Sequence, residues 1–479
     1  MTTSKKDNRM GKVALVYPEI KHGLQGCNPP YSLVSMGTVL MQNGIDVKIF
    51  DMDAYGGKQE LLLKDLGSYS PDITGMPVYN TSLQVIDDIL KRLSSMRTGG
   101  TVVLGGPEFT ADPDNVFECF PNIQFGFLGE ADESLLEFVL LYRDNKEFHH
   151  IPGLIYRDGS KIIKNPSRLI SNLNALPTPD HRLLSREYMK GIYWRLGYRG
   201  STDIIVSSRG CPFSCHFCFK IERRARFRSA ESVHREIEQI LSMGIRNIHF
   251  MDDLLVLNFK RVKSIFDPID PKWGIKFKVR ARASDINDEL VEYLAHKGVK
   301  EIVCGYESGS ERMLKLMNKK VTLEQNYNAV RTIKKHGIKA LADMMILYPG
   351  ENWDSARDTI RFINEAKPTY VHWSSFAPFT GIPVAKELKE KGLLEGKLSI
   401  NQYPKVKYDY LTEGELKRLT RYMTREIDRY NKSLFHVILP NLFDILLNSG
   451  LKQYIMLFER YLGISLTKFS AFFKKTSQD

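Results

Sequence analysis

Two runs of alternating strand-like and helix-like segments, separated by an aperiodic stretch, constrain this chain more than any other feature. Between residues 11 and 145 the short apolar runs "KVALVYP", "DVKIFD", "PDITGMP", "TVVLGGP" and "IQFGFLG" each end in Gly, Pro or Asp. Buried parallel strands entering loops end this way. Between them, "YSLVSMGTVLMQNG" and "TSLQVIDDILKRLSSM" place apolar residues at helical intervals. The pattern predicts an α/β, doubly wound, Rossmann-like sheet whose ligand loops lie at the carboxyl ends of its strands. Those loops are "GMPVYNTS" (75–82), "GGPEFT" (105–110) and "GEADES" (129–134). Glycine in each lets backbone approach a bulky ligand.

The second series runs from 202 to about 378, with strands "TDIIVSS", "NIHFMDD", "KFKVRA", "EIVCGYE", "ALADMMI" and "YVHWSSF". Six strand–helix units predict a partial (β/α)6 parallel barrel with its chemistry at the C-terminal mouth. The stretch between the two series carries a hairpin signal closing on Asp158-Gly159, then the proline-containing linker "NALPTPDHRLL". The expected divisions are therefore 1–150, a linker over 151–200, the barrel over 201–380, and a mostly helical region over 381–479. Within the last, "LFHVILPNLFDILL" and "LKQYIMLFERYL" read as a helical cap on the barrel. An amphipathic helix on a membrane surface is the alternative.

At 479 residues the chain exceeds one ordinary core. It is 43% hydrophobic and 26% charged, the balance of a soluble globular protein. No apolar run approaches the length of a membrane span or a signal-peptide core, so the expected location is cytoplasmic. The net charge of +12 permits nucleic acid, anionic lipid or an acidic substrate as partner and selects none. The densest basic run, "KIERRARFR" at 220–228, reads as a solvated or phosphate-facing loop, and nucleic acid is not the expected partner.

Three of the six cysteines fall in "SSRGCPFSCHFCF" (207–219), directly after the first barrel strand. Three thiolates at Cys211, Cys215 and Cys218 would fill three corners of an iron–sulfur cube and leave one iron without a protein ligand. A structural zinc site would need a fourth ligand, for which His216 is the neighbouring candidate. A redox pair would not need the third thiol. Gly210 and Pro212 suit a tight loop wrapped around a cluster.

With Phe217 just before its last cysteine, this Cys-x3-Cys-x2-Cys segment resembles the motif of the radical S-adenosylmethionine (SAM) enzymes. The resemblance implies that Cys211, Cys215 and Cys218 hold a 4Fe–4S cluster whose open iron chelates SAM, which one-electron reduction cleaves to methionine and a deoxyadenosyl radical. It further implies SAM contacts at Phe217, at Met251, Asp252 and Asp253 in "IHFMDDLL", at Arg280 in "VRARAS", and at Glu307 and Ser308 in "GYESGSERMLKLMNKK". The segment "DMMILYPGE" (343–351) would lie near the adenine. An external electron donor such as flavodoxin or ferredoxin is implied as well.

The order of domains is similar to that of the cobalamin-binding radical SAM subgroup, which includes methyltransferases and anaerobic tetrapyrrole cyclases. The implied corrin contacts are Met76, Val78 and Tyr79, then Gly105, Gly106 and Thr110, then Gly129 and Glu130. The Asp-x-His-x-x-Gly motif is missing from residues 1–150, whose histidines are His22, His149 and His150. The cobalamin implied is accordingly one without a histidine lower ligand. The leading expectation is a cobalamin-dependent radical methyltransferase acting on an unactivated carbon of a small-molecule substrate. In it, one SAM supplies the methyl group and a second the radical. A radical oxidoreductase or cyclase of the same architecture is the alternative, and a non-catalytic iron–sulfur or cobalamin sensor the third reading. The apolar C-terminal segments point to a hydrophobic substrate or peripheral membrane contact.

Overall fold

The computed structural model describes residues 11–18, 29–55, 57–96, 100–143, 147–184 and 201–433. The apolar segments expected near the C-terminus, together with His22 and Cys27, lie outside the described residues.

The first sheet begins with β1 (Lys12–Tyr17), β2 (Asp46–Asp51), β3 (Ile73–Pro77), β4 (Thr101–Gly105) and β5 (Phe125–Phe127). The hairpin β6 (Leu154–Asp158) and β7 (Lys161–Lys164) completes it. The strand order is β2-β1-β3-β4-β5-β6-β7. The first five strands run parallel, and the hairpin adds antiparallel to β5, with Phe125 opposite Tyr156. The hairpin is thus part of the sheet rather than a spacer. Asp158 pairs with Lys161, so the turn residues are Gly159 and Ser160, one position beyond the expected Asp158-Gly159. Val13, Ala14, Leu15 and Val16 are all buried because helices cover both faces. Tyr31–Gln42 and Asp132–Arg143 lie on one face; Gln59–Tyr69 and Leu83–Met96 lie on the other.

The second sheet comprises β8 (Thr202–Ile205), β11 (Asn247–Phe250), β12 (Lys276–Ala281), β13 (Val299–Glu307), β14 (Lys339–Ile346) and β15 (Tyr370–Ser375). All six are parallel and each neighbours its sequential successor, as a right-handed strand–helix series produces. Side chains alternate between the faces. In β12, Phe277, Val279 and Ala281 join the apolar layer under the helices, which leaves Lys278 and Arg280 on the opposite, concave face. Lys278 lies 3.6 Å from Glu301 and Arg280 lies 3.1 Å from Asp343. The concave face of this open barrel is charged, and its outer face is hydrocarbon.

A two-stranded ribbon, β9 (Ser208–Arg209) and β10 (Arg226–Phe227), pairs Arg209 with Arg226 and Ser208 with Phe227. It closes the base of the cysteine loop. The basic run is therefore not a solvated loop throughout, since Arg226 and Arg228 are buried. Arg226 donates to Glu130 at 2.6 and 2.8 Å, and Arg209 donates to Asp132 at 2.9 and 3.1 Å. Ser35 also donates to Asp132, at 2.5 Å. The first sheet and the barrel are thereby clasped at the root of the cysteine loop.

A second buried junction centres on His181, which follows the linker prolines. Its Nδ1 lies 3.0 Å from Asp203 on β8 and its Nε2 lies 2.9 Å from Glu236 on the helix Ala230–Ser242. Burial alone would lower its pKa, but Asp203 and Glu236 outweigh this and push it up to about 10. Arg228 pairs with the same Glu236 and donates 3.0 Å to Tyr31 Oη, from the first domain.

Candidate functional site

The three cysteines sit on one loop at the carboxyl end of β8. Gly210, at φ +90°, opens this loop, and a Cβ there would meet the Arg224 carbonyl at 2.5 Å. Cys215 is buried, Cys211 is half-buried and Cys218 reaches the surface. Although the residue as a whole is exposed, protein around the Cys218 sulfur pushes its thiol up to about 11; Lys220 opposes this, while Cys215, Asp253 and Cys211 add to it. The three sulfurs share one electrostatic neighbourhood. Among the described residues no three His, Cys, Asp or Glu side chains converge on a single-ion site. Three thiols that each hold a different iron of a cube need not converge in that way. His216, the candidate fourth zinc ligand, lies 4.0 Å from Glu387.

Two cations already face the sulfurs. Lys220 Nζ lies 3.4 Å from Cys211 Sγ, and Arg282 Nη1 lies 3.8 Å from Cys215 Sγ. Arg282 is buried, stacks 3.9 Å above the Phe213 ring, and leaves Nε and Nη2 without partners among the described residues. A buried guanidinium with spare donors beside three thiols suits a negatively charged group held by thiolates, and hydrogen bonds to cluster sulfurs tune such groups. Sequence reading stopped at Arg280. The repeat Arg280-Ala281-Arg282, which puts two arginines on one side of a strand end, was the available signal for Arg282.

The other residues expected at SAM divide by environment. Phe217 packs edge-on to Tyr348, with ring centroids 6.5 Å apart, and Lys319 Nζ stands 5.6 Å from its centroid. Met251 is half-buried after β11, and Asp253 is exposed near Cys218. Glu307 occupies a left-handed conformation, φ +64°, at a register shift between β13 and β14. Its carboxylate accepts from Lys319 at 2.8 Å. A non-glycine residue held there is strained by about 1–3 kcal/mol, a cost that clusters at functional sites.

Asp252 and Ser308, also expected at SAM, are both buried and hydrogen-bonded to neighbouring side chains. Asp252 is fully buried and accepts from Ser207 N at 3.2 Å, from Ser207 Oγ at 2.8 Å and from Ser208 Oγ. It locks the end of β8 with both carboxylate oxygens. Ser308 is fully buried, lies 3.1 Å from Thr359 Oγ1 and accepts from Ser310 N. Arg280 turns to Asp343, whose other oxygen lies 3.0 Å from His372 Nδ1. His372 and Arg280 hold the Asp343 carboxyl below its usual range despite burial, while burial lowers the His372 pKa. This trio on the concave face has no motif in the sequence, because its members lie on three strands.

At the loop edge of the first sheet, Val78 N donates 2.7 Å to Gly105 O, and Gly129 N donates 3.0 Å to Thr110 Oγ1. The three loops are thus knitted together. Gly106, φ +87°, has Val78 N only 2.8 Å from where a Cβ would be. The side chains of Met76 and Val78 are buried in the core beneath these loops, which leaves their backbone at the edge. Tyr79, Gly105, Gly106, Thr110 and Gly129 remain half-buried at the edge. Glu130 is consumed by Arg226, the Ile170 amide and Arg209. A corrin contact through that carboxylate would first have to break the clasp. Glu108, not among the expected corrin contacts, is a buried carboxyl on the short helix Gly106–Ala111 that follows β4, and its Oε1 has no partner among the described residues.

Residues 205–363 match the Radical SAM superfamily and residues 21–139 match the B12 binding domain. The chain is 27% identical over 430 residues to an uncharacterized methyltransferase, PH0819, of Pyrococcus horikoshii, covering 86% of this chain and 91% of the relative. It is 26% identical over 445 residues to the anaerobic magnesium-protoporphyrin IX monomethyl ester cyclase of Cereibacter sphaeroides, covering 89% of this chain and 71% of the relative. Its fold resembles that of the radical SAM methyltransferase TsrM from Kitasatospora setae, at 20% identity and a TM-score of 0.67 over 80% of this chain and 77% of that one. No helix among the described residues is long and apolar enough to cross a membrane. The cofactors of the two matched domains are a 4Fe–4S cluster with SAM, and cobalamin.

Proposed function

The chain belongs to the radical SAM enzymes that carry a B12-binding domain ahead of the barrel, and from this premise we propose that it is a cobalamin-dependent methyltransferase acting on an unactivated carbon. The observation that carries the reading is the cysteine loop's position. It sits at the mouth of a six-stranded parallel sheet and is clasped at its root to the loop edge that would bear the corrin. A substrate between the two domains would meet both cofactors at once, and such positioning supplies much of a catalyst's advantage.

In this reading Cys211, Cys215 and Cys218 hold the cluster. Arg282 and Lys220 donate toward its sulfurs, and Phe217, Met251 and Asp253 border the SAM pocket. Arg280, fixed by Asp343, supplies positive charge on the concave face, and Glu307, fixed by Lys319, supplies an acceptor for ammonium or ribose. Tyr79, Gly105, Gly106, Thr110 and Gly129 floor the corrin. When bound, these cofactors supply one-electron cleavage of SAM to a deoxyadenosyl radical and a carrier for the methyl group. The substrate is a small, apolar molecule, the electron donor an external flavodoxin or ferredoxin, and the location cytoplasmic, with peripheral membrane contact through residues beyond 433.

Incubating the reconstituted, reduced protein with methyl-labelled SAM and extracts of candidate substrates tests the reading. Label should enter a product alongside deoxyadenosine. Deoxyadenosine formed with no label in any product would instead favour a radical cyclase or oxidoreductase, the second reading supported by likeness to the cyclase of Cereibacter sphaeroides.

A further inference from the structure

A small recess, open to solvent and with room for about one water molecule, lies between the loop edge of the first sheet and the segment that follows the barrel. Asn80 and Glu108 form one wall; Phe379, Thr380, Leu398 and Tyr403 form much of the other. Glu108 is the member without an explanation. Its side chain is 5% exposed, yet Oε1 has no hydrogen-bond partner among the described residues. Burial, reinforced by Asp112, pushes its carboxyl up to about 7. Buried polar atoms are nearly always paired, and leaving one unpaired costs about 1–3 kcal/mol. A bound group is the natural partner.

The chemistry of the walls limits what that group is. The described residues lining the cleft include no Lys, Arg or His, so nothing there neutralises a phosphate or a carboxylate. A cation would find a single carboxyl, Glu108, among the described lining residues, and that group is about half protonated near neutral pH. What remains is a neutral group that both donates and accepts. A primary amide does so, pairing with a carboxylic acid through N–H to C=O and O–H to C=O. The corrin ring of cobalamin carries primary amides around its periphery. Glu108 stands on the short helix Gly106–Ala111, between Gly106 and Thr110, two of the residues proposed to floor the corrin.

We infer that Glu108 hydrogen-bonds a peripheral primary amide of the corrin, with Asn80 and Thr380 lining the same recess. The inference rests on the cobalamin reading of the first domain. Its test is spectroscopic titration of the apoprotein at pH 6.5 with hydroxocobalamin and with heptamethyl cobyrinate, which has esters in place of amides. Glu108→Ala should weaken hydroxocobalamin about tenfold, the scale of one neutral hydrogen-bonded pair. Glu108→Gln, which keeps an amide-pairing group, should lose less than about threefold. The ester keeps a carbonyl acceptor but lacks the N–H donor, so Glu108→Ala should weaken it less than it weakens hydroxocobalamin. Equal hydroxocobalamin affinity in the wild type and Glu108→Ala overturns the inference while leaving cobalamin binding intact. No binding of either corrin by the wild type overturns the cobalamin reading itself, and this inference with it.

Discussion

Two loops face one another where the domains meet, and their polar residues are used in opposite ways. In the barrel loop, Cys211, Cys215 and Cys218 lie on a turn whose base is closed by its own ribbon, leaving the thiols for a ligand. In the 129–134 loop of the first sheet, Glu130 and Asp132 are spent on Arg226 and Arg209 of that ribbon. Both loops follow strands at the functional edge of a parallel sheet, where ligands bind. The difference teaches that position at such an edge nominates a residue, but partner supply decides whether it is free to act.

The largest effect that would break the contrast is at the cysteines. Cys215→Ala or Cys218→Ala should abolish reductive cleavage of SAM, with deoxyadenosine at background in an anaerobic assay and far-UV circular dichroism unchanged. Retained cleavage would place the radical chemistry elsewhere. Next comes Glu130→Ala. It leaves Arg226, whose side chain is 5% exposed, as an uncompensated buried charge, and such losses cost about 3–5 kcal/mol. The urea midpoint should fall accordingly, whereas a corrin-contact role would lower cobalamin affinity and leave the midpoint alone.

His181 offers a third, pH-dependent contrast. Its folded pKa of about 10 exceeds the usual histidine value of about 6.5, so its stabilising contribution is complete below pH ~6.5. That contribution declines as pH rises and is gone above about 10. His181→Gln should flatten the fall in stability over this window, which urea unfolding at several pH values would reveal. The smallest effect belongs to Lys397→Ala. Lys397 and Glu118 also bridge the first domain and the post-barrel segment, but both side chains are more than half exposed. No shift in midpoint is expected, because exposed pairs are screened by water. A clear loss would show that spanning two domains matters more than burial.

These cases also show what the sequence could and could not reveal. Strand–helix alternation is a local property, and all eleven expected strands formed, as did the 158–161 hairpin with its turn displaced by one residue. The cysteine spacing is equally local. Asp252 and Glu130, by contrast, have partners 45 and 96 residues away, and nothing near them announces Ser207 or Arg226. The trio of Arg280, Asp343 and His372 is assembled only when β12, β14 and β15 curl together. Glu108 was hidden for the opposite reason, since its distinction is a carboxyl oxygen, Oε1, with no partner among the described residues.

The clasp at the cysteine loop's root also bears on how such a chain could change over time. Arg209 and Arg226 are barrel residues, and Glu130 and Asp132 belong to the other domain. Grafting this barrel onto the first domain of a relative would bring one buried and one half-buried guanidinium group against whatever stands at 130 and 132. A donor domain without acids there would leave both charges stranded at the base of the cysteine loop. Shuffling the halves therefore requires the acids and the arginines to travel as a matched set.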